Sequence, residues 1–302
     1  MNKRHACLIL AHACPGQLGK LLGLLDDPRN DIYVHLDGKA DFGPGLFTGC
    51  CRYSRLTFIE PRLRVNWGGV SIMRATLALL KAAVPGQYDY YHLLSGMDLP
   101  IKTQDEIHAF FDAHPGREFL SLWPVGPRQL DRCRYYIPFP EGKPFFPSNL
   151  ANNIVRGILK LLHFRINRKV DFRMASQWFS ITDGFARHLL SQEDWLERVF
   201  RHTGTCDEVF VPTVLWNSPF RDGLYDATVH LERERPADPE HPGNFRLIDW
   251  TRGESVRHPW VFRKEDWELL MAVPFFWARK FDERVDAEII GRLYMHLKGL
   301  QR

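Results

Sequence analysis

Hydrophobic positions in the first part of the chain alternate between short continuous runs and stretches with helical spacing. Residues 6–11 form an uninterrupted apolar run, which is typical of a parallel strand covered on both faces. A helical stretch follows over 15–25, and residues 31–37 and 56–59 predict two more strands. This β-α-β order predicts a doubly wound α/β sheet, in which ligands bind beyond the carboxyl ends of the strands.

The same alternation continues to residue 123. The pattern predicts a helix over 70–83, a strand over 88–94 and a loop over 95–100. Thr103 is a candidate N-cap, with Glu106 three residues later in a capping-box pattern. The helix that follows is predicted to end at 113, and a further strand is predicted over 118–122.

The second part of the chain begins with a change in composition. Residues 124–170 are rich in proline and aromatic residues and predict an irregular insertion on the side of the acceptor substrate. Its basic, helix-like end, 151–169, fits either a solvated helix face or a helix lying on a membrane surface. The remaining predicted elements are strands over 177–182 and 245–250 and helices over 184–191, 192–201, 207–216, 264–271 and 286–297.

These patterns predict one compact unit of 302 residues without repeats or linkers. Residues 1–123 would form a nucleotide-binding half. Residues 124–170 would form the insertion, and 171–302 a half that binds the acceptor and a diphosphate.

Composition and charge exclude some classes of function. A net charge of +4, with acids interleaved among the bases, is too weak to indicate nucleic-acid binding. The six cysteines form no CxxC pair, which favours free thiols in a reducing compartment. The apolar run near the N-terminus is too short for a signal sequence or a bilayer span. We therefore expect a cytoplasmic protein without a transmembrane segment, with peripheral contact to the inner membrane left open.

Polar residues follow several predicted strands. His12 and Asp37 come directly after the first two strands and are candidates for binding a nucleotide. Asp37 fits either a hydrogen bond to ribose or uracil or a simple turn residue. Asp98 stands at the end of a later strand, but the chain contains no Asp-x-Asp motif of the kind that binds a divalent ion. We therefore predict no metal and no other cofactor.

A carboxylate and two cations suit the transfer of a sugar from a nucleotide. Glu208 is the candidate base, in a helix predicted to begin at Asp207, whose side chain would cap the first turn. The alternative is that Glu208 only complements the positive end of that helix. Arg257 and Lys280 are candidates for stabilising a leaving diphosphate. Trp67 and Trp250 fit either contacts with sugar rings or a place in the hydrophobic core.

Taken in order, these segments resemble the core-2/I-branching glycosyltransferase family, which includes the peptide O-xylosyltransferases. The resemblance covers nearly the whole chain. It is carried by Val34–Asp37, Trp67–Ser71, Leu94–Thr103, Ser176–Phe179, Asp207-Glu208, Thr213–Pro219, Ile248–Trp250 and Phe276–Gly291.

The resemblance implies a GT-A-like, Rossmann-type nucleotide-binding sheet with flanking helices. It also implies an inverting, metal-independent transfer from a UDP-sugar, carrying N-acetylglucosamine or xylose, to a hydroxyl of a glycan or other acceptor. The catalytic glutamate of the family matches Glu208, and its diphosphate contacts match Lys280 and, more loosely, Arg257. Its uridine-side aspartate matches Asp37, and its aromatic acceptor contact falls near Trp250.

The chain departs from the xylosyltransferase pattern at one position. Those enzymes place an aspartate, acting as base, before the Trp-Phe pair, where this chain has Gln177. We assign Gln177, Asp98 and Asp207, with the two tryptophans, to the sugar pocket. The absence of a visible anchor, stem or disulfide pattern favours a bacterial enzyme. The rival interpretations are a non-catalytic sugar-nucleotide or glycan-binding protein and, less favoured, a glycoside hydrolase.

Overall fold

The computed structural model describes residues 4–66, 68–141, 146–204, 206–228, 243–252 and 258–300. Within these ranges the chain forms ten strands: β1 His5–Ala11, β2 Asn30–Leu36, β3 Arg55–Phe58, β4 Tyr90–Ser95, β5 Asp98–Pro100, β6 Leu122–Trp123, β7 Met174–Ala175, β8 Ser180–Thr182, β9 Arg246–Ile248 and β10 Trp277–Arg279.

The same residues form ten α-helices: α1 Pro15–Leu25, α2 Val70–Ala83, α3 Gln104–Ala113, α4 Pro127–Arg134, α5 Phe146–Leu161, α6 Asp183–Ser191, α7 Glu193–Phe200, α8 Phe210–Trp216, α9 Trp267–Ala272 and α10 Ala287–Leu300. A 3-10 turn over Cys206–Glu208 carries the acidic pair discussed below.

The main sheet has the strand order β3-β2-β1-β4-β8. The first four strands are parallel, and β8 runs antiparallel to β4 at the edge. Ile9 in the central strand lies between Val34 of β2 and Leu94 of β4. This arrangement confirms the predicted α/β fold with a parallel sheet and flanking helices.

Both faces of the sheet are covered, which explains the continuous apolar runs in its central strands. Ala6 and Leu8 of β1 join a hydrophobic cluster with α2, α6, α7 and α8. Cys7 and Ile9 point to the other face and join a cluster with α1, α3 and α10. Because successive side chains of a strand alternate between faces, a strand buried on both faces is apolar at most of its positions.

A second sheet of three strands, in the order β5-β10-β9, joins distant parts of the chain. Asp98 of β5 pairs with Arg279 of the antiparallel β10, and Ile248 of β9 pairs with the same arginine on the other side. The stretch over 95–100, which we predicted as a loop, therefore contains the end of β4 and all of β5.

Three predicted strands are shorter than expected, one of them the strand over 245–250, of which β9 covers only Arg246–Ile248. In place of a strand over 118–122, Glu118 and Phe119 form single bridges to Leu224 and Ser180. The two partners belong to different segments of the chain, one parallel and one antiparallel, so no continuous ladder forms there. The strand predicted over 177–182 is reduced to β8.

The predicted insertion over 124–170 includes regular structure, and α5 overlaps the helix-like end that we predicted over 151–169. The segment contains two helices, α4 and α5, and Pro127 stands in the first turn of α4, where a missing N–H costs nothing. In the described ranges no helix combines the length and hydrophobicity needed to cross a bilayer. All six cysteines are free.

Candidate active site

The order of the strands reverses between β1 and β4, and this reversal locates the candidate site. The chain connections that follow the strands on either side of it lead in opposite directions along the sheet. A crevice therefore opens beyond the carboxyl ends of these strands. His12 follows β1 at this crevice, and the turn from Ser95 to Asp98 follows β4.

Asp98 is a buried anchor for an arginine at the crevice. Its side chain is 1% exposed, accepts a hydrogen bond from the Ser95 N–H at 2.9 Å and pairs with Arg279 Nη1 at 2.7 Å. The guanidinium carbon of Arg279 lies 4.5 Å from the ring centre of Trp178. The predicted sugar-pocket residue Asp98 therefore uses its carboxylate within the fold, and it fixes the partly exposed Arg279.

Lys280 follows β10 directly and is half-buried. Burial lowers the pKa of its ammonium, as does the neighbouring Arg279, while Asp282 opposes the shift. Across the described residues the ammonium has no hydrogen-bond or ion-pair partner. Asp282 is held instead by Arg284, which lowers the pKa of that carboxyl to about 2. Lys280 is thus a desolvated cation available to an anionic group.

The N-terminus of α1, where many nucleotide-binding folds hold phosphate, is already covered. Glu283 lies so close to Gly16 that a Cβ on the glycine would stand 2.6 Å from its carboxylate. The thiol of Cys14 lies 3.6 Å from Asp282. Two acidic residues therefore lie at the positive end of this helix, where they disfavour a bound anion.

Gln17 joins three segments at the crevice. It is fully buried and donates hydrogen bonds at 3.2 Å to the carbonyls of Gly96 and Phe281. Its carbonyl oxygen accepts the N–H of Glu283 at 3.1 Å. The side chain therefore ties the first turn of α1 to the loop after β4 and to the segment that carries Lys280.

Asp37 and His12 lie on the β2 side of the crevice. The Asp37 carboxylate accepts the N–H of Lys39 at 2.8 Å and is 5% exposed. Desolvation lowers the pKa of His12, although its ring is partly open to solvent. Asp37 opposes the shift, while Arg279 and Lys280 add to it. The charges of Asp37 and Lys280 thus both influence the protonation of His12, in opposite directions.

The acidic pair Asp207 and Glu208 lies near the start of α2. The thiol of Cys206 donates to the Gly69 carbonyl at 3.4 Å, which places the Cys206–Glu208 turn against the first turn of that helix. Since α2 begins after the carboxyl end of β3, the pair lies at the same edge of the sheet as the crevice. Asp207 is 9% exposed and Glu208 is half-buried.

The predicted helix over 207–216 begins later than expected. Asp207 and Glu208 form a separate 3-10 turn, and α8 starts at Phe210 with no side-chain cap. Pro212 gives the reason. In a helix from 207 its ring would clash with the carbonyl of Glu208, whereas in α8 it lies in the first turn. The predicted N-cap role of Asp207 is therefore wrong.

Gln177 and Trp250 were both predicted for the sugar pocket. The side-chain nitrogen of Gln177 is buried, and no described residue offers it a hydrogen-bond partner. Trp250 is half-buried and packs against the cluster that contains Trp178 and Val209, the residue after Glu208. The predicted residues Trp67 and Arg257 lie outside the described residues. The described segment that begins at residue 258 lies beside Lys280. The backbone of Lys280 is hydrogen-bonded to the backbones of Trp260 and Phe262.

A cavity of about 280 Å³ lies between the insertion and α8. Its lining includes Trp123, Arg134, Arg173 and Trp216. The guanidinium carbon of Arg173 lies 4.3 Å from the ring centre of Trp216. A larger cavity of about 350 Å³ opens near Tyr88, at the opposite end of β4 from the crevice.

Metal binding has no evident support in the described ranges. No group of three or more histidine, cysteine or acidic side chains is arranged there to hold an ion. Metal independence stays a prediction, which a chelator can test.

Comparison of the sequence with known proteins identifies a family. The sequence pattern of the "Core-2/I-Branching enzyme" family matches residues 8–270. The chain belongs to this family. The match confirms the resemblance seen in the sequence, and it includes every predicted site residue except Lys280, which follows it.

Several similar curated proteins are xylosyltransferases. Xylosyltransferase 2 of Canis lupus familiaris is 26% identical over 94% of this chain and 32% of its own length. Xylosyltransferase 2 of Homo sapiens is 25% identical over the same shares, and human xylosyltransferase 1 is 24% identical over 98% of this chain and 30% of its own length. The chain thus spans about a third of the length of these relatives.

A similar solved structure is mouse xyloside xylosyltransferase 1 in its apo form. It is 11% identical and covers 91% of this chain and 96% of its own, with a TM-score of 0.37. This similarity is too low to establish a shared fold.

Sequence reasoning did not assign roles to Arg279 and Gln17. Arg279 stands directly before Lys280, and a pair of basic residues at a strand end was a signal that it shares the site. Gln17 had no local signal. Its three partners come from residues 96, 281 and 283, which only the fold brings to it.

Proposed function

We propose that this chain is an inverting glycosyltransferase that moves a sugar from a UDP-sugar to a hydroxyl group without a divalent metal. The observation that carries the proposal is the half-buried ammonium of Lys280 beside the β1–β4 crevice, with no partner in the described chain. A desolvated cation in this position suits the diphosphate of a nucleotide. Membership of the core-2/I-branching family supports the same reaction class.

In this proposal the donor enters along the carboxyl edge of the sheet. Asp37 binds the uridine portion, and His12 borders it. Lys280 and Arg257 bind the diphosphate, since acidic residues already cover the first turn of α1. Arg279 is held by Asp98 and Trp178 and adds positive charge beside Lys280.

The reaction then needs one proton transfer and one displacement. Glu208 accepts the proton of the acceptor hydroxyl, whose oxygen attacks the anomeric carbon from the face opposite UDP. The new carbon–oxygen bond forms as the bond to the diphosphate oxygen breaks, and the electron pair leaves with UDP. Lys280 and Arg257 stabilise the negative charge that develops on the leaving diphosphate.

For the transferred sugar we propose N-acetylglucosamine or xylose. Xylose is supported by the relatives named xylosyltransferases. Gln177 argues against peptide xylosylation, because its amide cannot accept a proton at the position where the xylosyltransferase branch has its aspartate. The base role therefore falls to Glu208, and the acceptor is a glycan hydroxyl.

Nucleotide binding tests the donor half of the proposal. We expect UDP to raise the Tm of the protein equally with and without EDTA. Lys280→Met should weaken UDP binding about ten- to hundredfold, because hydrogen bonds to charged groups contribute about 1.5–3 kcal/mol. Lys298→Met, in the last turn of α10 and likewise half-buried, is the matched control and should bind UDP normally. Binding or turnover that requires manganese would contradict the metal-free mechanism.

Turnover tests the base. Glu208→Gln should lower kcat by about 10²–10⁴-fold while UDP binding is kept, as expected for loss of a general base. Glu265→Gln, at an exposed position, should leave kcat unchanged. A wild-type protein that binds UDP but releases none from any UDP-sugar would be a binding protein. Hydrolysis of a glycan without any dependence on UDP would indicate a glycoside hydrolase.

A further inference from the structure

Helix α5 presents a stripe of large hydrophobic side chains to solvent. Leu150, Ile154, Ile158 and Leu161 are 50%, 52%, 51% and 79% exposed, and their spacing places them on one face of the helix. Leu162 and Phe164 extend the stripe past the end of α5, and these six side chains define what we call the apolar stripe. They are six of the fourteen large hydrophobic residues that are exposed in the described part of the chain. Such a concentration marks an interaction surface.

The other side of α5 is attached to the body of the protein. Asn152 exchanges two hydrogen bonds of 3.0 Å with the backbone of Phe139, and Lys160 forms an ion pair with Asp131 of α4. Beyond the helix, Asn167 donates to the carbonyls of Cys133 and Val199 at 3.0 and 2.9 Å. These contacts hold the helix in one orientation, with the apolar stripe directed away from the core.

The segment around the stripe is purely basic. Residues 142–170 contain six lysines and arginines and no aspartate or glutamate. Arg165, Arg168 and Lys169 are exposed just past the end of the helix. An exposed apolar face bordered by positive charge, on a helix without acids, is typical of helices that lie in the interface of an anionic membrane.

We propose that α5 and the residues up to Lys169 dock on an anionic phospholipid surface, with the apolar stripe inserted and the basic residues on the headgroups. A second copy of this chain fits the surface less well. Pairing the same face in a symmetric dimer would bring two sets of like charges together, and residues 142–170 contain no acid to offset them. Nucleic acid would leave the stripe in water. This surface is independent of the proposed sugar transfer and of its residues.

Vesicle flotation tests the proposal. We expect the wild-type protein to float with vesicles that contain phosphatidylglycerol, to bind vesicles of phosphatidylcholine alone at least tenfold more weakly, and to be released by high salt. Ile154→Ser, Ile158→Ser and Leu161→Ser combined should reduce flotation at least about tenfold, since three inserted apolar side chains are lost. All three positions are exposed, so the variant should keep the wild-type Tm.

The matched control makes the same kind of substitution at three exposed apolar residues outside the stripe. Leu46→Ser, Met295→Ser and Leu300→Ser remove three side chains that are 64%, 70% and 59% exposed on other surfaces, and flotation should be unchanged.

A charge variant tests the second half of the surface. Arg165→Gln, Arg168→Gln and Lys169→Gln together should weaken binding to the anionic vesicles about a hundredfold, at about fivefold for each charge. Wild-type protein that stays below the vesicles, or a stripe variant that floats as well as wild type, would overturn the proposal. A wild-type dimer that becomes monomeric only in the stripe variant would assign the surface to a second copy and would also overturn it.

Discussion

The pair Asp98 and Arg279 offers a sharp test of how the candidate site is built. In Asp98→Ala the Ser95 N–H and the Arg279 guanidinium lose acceptors that now lie at 2.9 and 2.7 Å. Breaking a buried ion pair costs about 3–5 kcal/mol. Because Arg279 remains 20% exposed and keeps its contact with Trp178, we expect the lower value, about 3 kcal/mol. At about 2 °C per kcal/mol, the Tm should fall by about 6 °C.

A double-mutant cycle separates the pair from its surroundings. Arg279→Met alone leaves the Asp98 carboxylate buried with one donor, so it should also destabilise by about 3 kcal/mol. The double variant Asp98→Ala with Arg279→Met leaves neither charge unpaired, and we expect a coupling energy of at least about 2 kcal/mol. Urea unfolding, with the midpoint and the slope measured for each variant, gives these free energies.

Two results would refute this reasoning. A loss below about 1 kcal/mol in Asp98→Ala would mean that solvent satisfies Arg279 without the carboxylate. Single-variant losses that simply add in the double variant would mean that the two side chains are independent. In either case Arg279 would not be positioned by Asp98.

Three further changes test other parts of the fold. Burial raises the pKa of Glu118 to about 7. Folding therefore favours its protonated form, and stability should fall by about 3 kcal/mol as pH rises from about 4.5 through about 7. Glu118→Gln should remove that slope from Tm against pH, and an unchanged slope would contradict it. Glu141 accepts the Ser71 N–H at 2.9 Å in the first turn of α2, so Glu141→Ala should cost about 1 kcal/mol in urea unfolding, and no loss would mean that this contact does not stabilise the turn. Gln17→Leu removes three buried hydrogen bonds and should cost about 3 kcal/mol by the same measurement; a loss under about 1 kcal/mol would show that the crevice segments hold together without it.

The sequence predicted the elements whose signals are local. Largely apolar runs marked β1, β2 and β4, because strands covered on both faces have few polar positions. The capping box of Thr103 and Glu106 is confirmed, with the Thr103 hydroxyl accepting the Glu106 N–H at 3.2 Å and the glutamate accepting the Thr103 N–H at 2.8 Å. Both partners lie within four residues, so their spacing alone specified the contact.

Within the candidate site the sequence indicated which residues take part, but it did not predict which of them contact one another. It marked His12 and Asp37 because residues after parallel strands meet at one edge of a sheet. It misjudged the start of α8, where the ring of Pro212 outweighs the capping tendency of Asp207.

Tertiary structure alone decided the contacts between distant segments. The pairing of β5 with β10 joins Asp98 to Arg279 across 181 residues, and Gln17 meets partners from two other segments. The direction of the stripe on α5 was equally undetermined, since an amphipathic helix has the same sequence whether its apolar face meets a core or solvent. Local spacing specifies helices, strands and caps, while the burial of one element against another specifies which charges meet and which faces remain open.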